Sequence, residues 1–404
     1  MTPSQPHPTG DERHGGGMSR RTLLSGTSAA AAALALGTGT AHAAGSTPPQ
    51  HPSHPGHPTH PHAVTGPLDL DVTADAVGVC YTVLHNLSVR PDLPIYDTTE
   101  ILKTAQSTGQ PPAWGPLYAN HYWGRPASGY TRSDDTTVLR SHAQQLTEAR
   151  VDFIVVDATN IQGPPDPGAD DIYYSPMKIL LDTWRDIRAA GGRTPYVVPW
   201  VGSPASNPDP AATGRATWDA YYASGAYSDL FVTYQGKPLL ITTDTLPAEL
   251  TEHFTLRKMW GLQSALAEQE WSFLQDAPQN VGMSGGVPEQ MCVCTALQKT
   301  YMTEPTAVGR QGGRTFQAQW RQAFQVRPKV VTLTWWNEWI AMRFEDEAGQ
   351  ARFVDNYDEP FSRDIEPQDP AQSGSHGDLY YQWMKQYIAA YKDHAPFPEG
   401  LVQS

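Results

Sequence analysis

Cysteine is scarce in this 404-residue sequence: there are three, Cys80, Cys292 and Cys294. An odd count without framework spacing argues against a disulfide scaffold. Cys292 and Cys294 stand two apart in an apolar run, so on a strand they share a face. They read as small buried hydrophobes, because a metal site needs more ligands than this pair offers. Basic charge is also in short supply, with 28 Lys and Arg against 42 Asp and Glu. A surface this acidic repels nucleic acid and anionic lipid. No HExxH pattern, no EF-hand loop and no GxGxxG after an early strand is present, so zincin, calcium-loop and dinucleotide chemistry lack their usual signatures. Neither a metal nor an organic cofactor is expected.

Long apolar runs are missing as well. The nearest is "AAAAALALGTGTA", which follows "SRRTLLSG" at 19–26 and precedes "AHA" at Ala41–Ala43. It is well short of the ~20 apolar residues that span a membrane. A twin arginine, a short apolar stretch and small residues before a cut predict a twin-arginine export signal over 1–43. An N-terminal membrane anchor is the alternative. Removing that segment leaves 25 basic and 40 acidic side chains, net −15. The expected product is a secreted, soluble monomer. Residues 44–68 hold "GSTPPQHPSHPGHPTHPHAVT", rich in Pro, Gly and His. Nothing there can pack a core, so a disordered, semi-extended linker is expected. Its five histidines from His51 to His62 could bind a transition metal loosely, but the prolines favour a plain spacer.

Residues 69–404 look different. Short apolar, β-branched runs alternate with stretches of helical period: "AVGVCYTVL" (76–84), "FIVVDA" (153–158), "YVVPWV" (196–201), "KPLLITT" (237–243), "FTLRKMW" (254–260), "WSFLQD" (271–276), "QMCVCTA" (290–296) and "VVTLTWW" (330–336). Near-continuous apolar strands are those of a parallel sheet covered on both faces. Eight of them with helices between predict a (β/α)₈ TIM barrel in the α/β class. Between residues 243 and 290 the connections are too short for full helices, so some barrel helices must be reduced. An extended C-terminal loop and helix follow the eighth strand. An open doubly wound sheet is the alternative.

In such a barrel, chemistry sits where the strands end. The strand ends here carry His85 and Asn86, Asp157 and Asn160, Trp200, Asp244, Trp260, Asp276, and Trp335 to Trp339. The chain has 12 Trp and 18 Tyr. Indoles stack on the apolar faces of sugar rings, while carboxylates and amides bond hydroxyls. Two carboxylates flanking a glycosidic bond can protonate the leaving oxygen and activate water, or attack directly. Glu338 in "WWNEW" is the first candidate for acid or base, because an apolar surround favours its protonated form. Asp157 and Asp276 compete for the second carboxylate. Tyr81, His121, Trp123, Asn160, Trp200, Trp336 and Asn337 form the candidate sugar platform. The bland alternative makes Trp335 and Trp336 rim packing and pairs Glu338 with an arginine. His142, on a helix, reads as a face residue. "GMSGG" at 282–286 matches G-x-S-x-G around Ser284 but lacks a preceding strand and a following helix.

Three stretches resemble a known family. "WGPLYANHYWGRPASGYTRSDDTTVLRSHAQQLTEARVDFIVVDATN" (114–160), "TFQAQWRQAFQVRPKVVTLTWWNEW" (315–339), and "FSRDIEP" (361–367) followed by "GDLYYQWMKQYIAAYK" (377–392) are similar to the bacterial barrels near glycoside hydrolase families 71 and 99. The resemblance spans roughly 75–392. It implies a (β/α)₈ glycoside hydrolase or close relative acting on a carbohydrate. It departs from the mannan-cleaving members of family 99 in lacking their two neighbouring glutamates by a Trp-His segment. The resulting expectation is a secreted enzyme cleaving glycosidic bonds of a neutral polysaccharide or oligosaccharide. A non-catalytic carbohydrate-binding barrel and a serine esterase using Ser284 are the alternatives.

Overall fold

The computed structural model describes residues 66–167, 171–263, 265–302, 306–354 and 358–402. The export-signal segment and most of the linker segment lie outside the described residues. The barrel strands are β1 (Ala76–Tyr81), β2 (Phe153–Ala158), β3 (Tyr196–Val201), β4 (Lys237–Thr242), β5 (Thr255–Met259), β6 (Glu270–Trp271), β7 (Val287–Cys294) and β8 (Val330–Thr334). Each overlaps one of the eight runs expected from sequence, β6 by Trp271 alone. Neighbours β1 to β6 pair in parallel in chain order, and β7 pairs with β8 and β8 with β1.

Alternate residues along each strand serve two different cores, as the period of two requires. Ala76, Cys80, Phe153, Val155, Val198, Trp200, Leu239, Ile241, Cys292 and Cys294 fill the barrel interior. Val77, Val79, Ile154, Val156, Val197, Leu240, Met291, Val293, Val331 and Leu333 face the helices. All three cysteines are free and buried. Gly78 in β1 has no side chain for a spatial reason: a Cβ there would lie 2.4 Å from the Phe153 ring.

No backbone ladder among the described residues joins β6 to β7. A side chain closes the ring instead. Gln290 Oε1 accepts from the Ser272 backbone N–H at 2.6 Å, and its Nε2 donates to the Ser272 carbonyl at 3.1 Å. A primary amide carries the same donor and acceptor as a peptide unit, so one glutamine substitutes for a rung. Gln290 Nε2 also donates to Thr332 Oγ1 at 2.6 Å, which ties the seam to β8.

The helices are α1 (Thr98–Thr108), α2 (Thr136–Glu148), α3 (Tyr174–Ala189), α4 (Ala212–Thr217), α5 (Arg314–Val326) and α6 (Leu379–Lys392). In α3, Met177, Leu180, Leu181 and Trp184 recur at i, i+3, i+4 and i+7 and are fully buried, the stripe that docks a helix on a sheet. Gly191, with φ of 82°, follows its end. Asp135 caps α2 by accepting from Thr137 N at 2.8 Å and Val138 N at 3.4 Å. The β4–β5 connection has only a 3₁₀ turn, Ala248–Glu252. The β6–β7 connection is a short strand, Gly282–Ser284, antiparallel to β7. These are the reduced connections expected between 243 and 290.

Some strands were not expected. Asn120–Tyr122, Ile340–Glu345 and Ala351–Phe353 form a three-stranded antiparallel sheet. It couples the long loop after β1 to the chain leaving β8. Leu68–Asp69 pairs with Val232–Thr233, so the ordered fold includes Leu68, which the sequence grouped with the linker.

Candidate active site at the barrel mouth

Because β1 lies between β2 and β8, the strand ends carrying Asp157 and the W-N-E-W turn flank the end of β1. Trp336 N donates to the Cys80 carbonyl at 2.7 Å, which continues the β8–β1 ladder into the turn. Burial first, and then the charges of Asp157 and Glu338, push the Cys80 thiol well above its usual range. Asp157 and Glu338 therefore share one neighbour inside the mouth. Asp157 is buried and accepts the Thr159 N–H at 2.8 Å.

The indoles around this mouth are mostly packed. Trp200 stacks on Trp335 at 6.0 Å and 22°, and its Nε1 donates to the Met259 carbonyl at 3.1 Å. Trp335 belongs to the interior core, whereas Trp336 belongs to the outer one and meets His142 edge-on at 5.6 Å. Trp260 is half-buried, with Nε1 donating to Tyr301 Oη. Asn160 is half-buried on the loop after β2.

The segment 361–367 wraps back over the W-N-E-W turn. Its backbone pairs with it: Trp335 N to the Arg363 carbonyl at 2.6 Å, and Glu366 N to the Trp336 carbonyl at 2.9 Å. Its side chains do the rest. Arg363, 1% exposed, donates to Glu338, 9% exposed. Asp364 accepts the backbone N–H of Glu338, that of Trp339 at 3.0 Å and Trp123 Nε1 at 2.6 Å. Burial lifts Asp364 to about 6 despite these donors and Arg310. Glu366 accepts Trp339 Nε1 at 2.6 Å and His142 Nε2 at 2.9 Å. Burial opposes its ionisation, but His142, Trp339 and His85 together outweigh burial and hold it below the usual carboxylate range.

The expected site residues therefore separate. Glu338, Asp157 and Trp200 gather around the mouth. Asp276 is exposed on the loop after β6. Asn337 spends its amide on Thr82, accepting its N–H at 2.9 Å and donating to its carbonyl at 3.2 Å. Trp123 is buried and stacked on Trp339 at 4.6 Å and 12°. His121 is buried within the antiparallel sheet, its ring between the carbonyls of Ala119 at 3.0 Å and Trp114 at 2.6 Å. Tyr81 Oη bonds His142 Nδ1 at 2.8 Å on the outer side of β1. Ser284 sits in the antiparallel strand Gly282–Ser284 before a Gly-Gly turn, without the strand-to-helix bend of a nucleophile elbow.

Sequence reasoning gave no role to Arg363, Asp364 or Glu366, and gave His142 only a helix face. Their signal was present in the charges of "SRDIEP", but nothing local names their partners. Among the described residues no group of His, Cys, Asp and Glu is arranged to hold a metal ion, and no helix is long and apolar enough to cross a membrane.

The sequence matches no protein-family model and no curated protein. Solved structures do match. The GH99 endo-alpha-mannosidase from Bacteroides thetaiotaomicron aligns with 80% of this chain and 99% of its own, at 14% identity and a TM-score of 0.51. The same enzyme in complex with BIS-TRIS-propane aligns at 14% identity over 79% and 98%, with a TM-score of 0.49. A glycoside hydrolase-like protein aligns at 12% identity over 78% and 94%, with a TM-score of 0.45. The first of these likenesses extends to the barrel fold.

Proposed function

We propose that this protein is a glycoside hydrolase whose chemistry lies at the carboxyl-terminal mouth of the barrel. One observation carries the proposal: Asp157 and Glu338, far apart in sequence, are both buried and flank the end of β1. Two carboxylates at one mouth are the minimal apparatus for breaking a glycosidic bond. Glu338, facing Arg363, serves as the anion. It stabilises positive charge at the anomeric carbon or attacks it. Asp157 gives its proton to the leaving oxygen as the carbon–oxygen bond breaks, and water then completes hydrolysis. Trp200 and Trp335 back the mouth, and Trp260 and Asn160 are half-buried.

The acidic composition favours a neutral carbohydrate, and the segment around Arg20 and Arg21 favours export through the twin-arginine route. The likeness to an endo-alpha-mannosidase makes α-mannan the first polysaccharide to offer. The test is release of reducing ends from a panel of neutral polysaccharides by the wild type and by Asp157→Asn. Hydrolysis by the wild type, reduced ~10²-fold or more in the variant, is expected. Inactivity of the wild type on the whole panel refutes the reading. A second reading, a carbohydrate-binding barrel without turnover, draws support from the buried Glu338–Arg363 pair. Polysaccharide binding with no product would single it out.

A further inference from the structure

Beside the mouth lies a second recess. The end of β1, the 122–133 loop, the first turns of α2 and the W-N-E-W turn line a recess of about 20 Å³. Asn337 and Trp339 line it, whereas Glu338 between them pairs with Arg363. The recess is therefore distinct from the carboxylate pair at the mouth. Its volume leaves room for about one water-sized group, such as a single hydroxyl.

The hydrogen-bond order inside it can be worked out. Glu366 is held ionised and has no proton to give. His142 Nε2, 2.9 Å from Glu366 Oε1, donates to that carboxylate. Tyr81 Oη and His142 Nδ1 share a hydrogen bond of 2.8 Å. The Tyr81 oxygen lies on the wall of the recess, where a lone pair can accept.

His85 supplies the complement. It is 7% exposed, and its ring stacks on Tyr122 at 6.1 Å. Ser133 Oγ accepts the His85 backbone N–H at 3.0 Å and lies 3.2 Å from Nδ1. In the tautomer in which Ser133 Oγ donates to Nδ1, the ring hydrogen is on Nε2. Nε2 has no hydrogen-bond partner. The backbone of Asn337 and Glu338 approaches the ring and favours its protonated form. A buried donor without a partner is uncommon and calls for an explanation.

We infer that this recess binds a hydroxyl group of a neutral sugar or polyol, which accepts from His85 Nε2 and donates to Tyr81 Oη or Glu366. An anion would face the Glu366 carboxylate. A cation would face the His85 N–H. A hydroxyl both accepts and donates, so it satisfies both sides at once. Burial pulls the His85 pKa down to about 4, so the ring is neutral at pH 7 and adds no charge. The identity of the ligand rests on the carbohydrate reading above; the binding geometry does not.

The test is a titration of the full-length protein with methyl α-mannoside, glucose, galactose and glycerol. Binding is followed by calorimetry and by tryptophan fluorescence, since Trp339 lines the recess. Wild type, His85→Phe, Tyr81→Phe and Gln386→Ala are compared, with thermal unfolding to verify folding. At least one probe should bind the wild type. His85→Phe and Tyr81→Phe should each weaken it about tenfold, the effect of one lost hydrogen bond to a neutral group. Gln386→Ala, on the exposed face of α6, should bind it as the wild type does. If His85→Phe does not fold, Ser133→Ala, which releases Nδ1, takes its place. The inference is overturned if no probe binds the wild type, or if folded variants at His85, Ser133 and Tyr81 bind it unchanged. Probe binding that needs His85 in a protein inactive on every polysaccharide would sink the hydrolase reading alone. Hydrolysis that is sensitive to Asp157 with no such binding would sink the recess alone.

Discussion

Replacing Glu338 with glutamine keeps its shape but removes the charge that faces Arg363. Arg363 is 1% exposed, so water cannot take over the lost counter-charge. Breaking a buried ion pair by removing one partner costs about 3–5 kcal/mol. The glutamine oxygen can still accept from Arg363, which favours the lower end of that range. At about 2–4 °C per kcal/mol for domains of 150–250 residues, and less for longer chains, the melting point should fall by roughly 5–10 °C. Salt should change this little, because buried pairs are weakly screened. Turnover of the folded fraction should also fall, by ~10²-fold or more, if the carboxylate takes part in the reaction. The strand-end sequence by itself predicts a different result, lost turnover with an unchanged melting point, because it shows indoles and no guanidinium. A third variant separates the effects. Glu338→Leu with Arg363→Met removes both charges and should recover most of the stability, since apolar replacement of a buried pair is often neutral or stabilising, while leaving the protein inactive. Circular-dichroism melts and a reducing-end assay on the same preparations decide the matter. A melting point within a degree of wild type in Glu338→Gln refutes the energetic reasoning. Normal turnover by that folded variant refutes the catalytic role.

Other expectations follow from the same geometry. Gln290→Leu strips Ser272 of its side-chain partners at the seam, at about 1–3 kcal/mol for each buried group left unsatisfied; amide exchange should quicken around 270–276 more than in β2, and equal protection would count against a glutamine-closed barrel. His85 has a folded pKa of about 4, below its unfolded value of about 6.5, so the unfolded chain binds more protons in that window and stability should rise with pH through it. Asp364, raised to about 6 from about 3.9, acts in the opposite sense and lowers stability as pH rises from 4 to 6. Denaturant melts at pH 4.5, 5.5 and 6.5 should therefore show His85→Phe losing the upward component and Asp364→Asn losing the downward one; parallel curves for all three proteins would contradict both assignments. Arg20→Lys with Arg21→Lys should leave the protein in the cytoplasm, and unchanged secretion would mean the signal is misread.

Much of the barrel was legible because its strands are buried on both faces. A strand such as "FIVVDA" or "YVVPWV" must be apolar throughout, and that demand is written in consecutive residues. The helical stripe Met177, Leu180, Leu181 and Trp184 is equally local, since 3.6-residue periodicity needs no knowledge of the rest of the chain. The short connections between 243 and 290 limited the helices by length alone. The three-residue strands at 120–122 and 351–353 were beyond such reading, because a segment that short acquires its conformation from its partner. The seam was hidden for a related reason: Gln290 looks like any polar residue until Ser272 lies beside it. At the site, sequence put a carboxylate among indoles at the end of β8, and it named Asp157 at the end of β2. It could not choose between a titrating acid and an ion pair. That depends on Arg363, 25 positions on, being returned to the mouth when the chain folds back. Local pattern encodes period and burial; which charge meets which is decided by the path of the backbone.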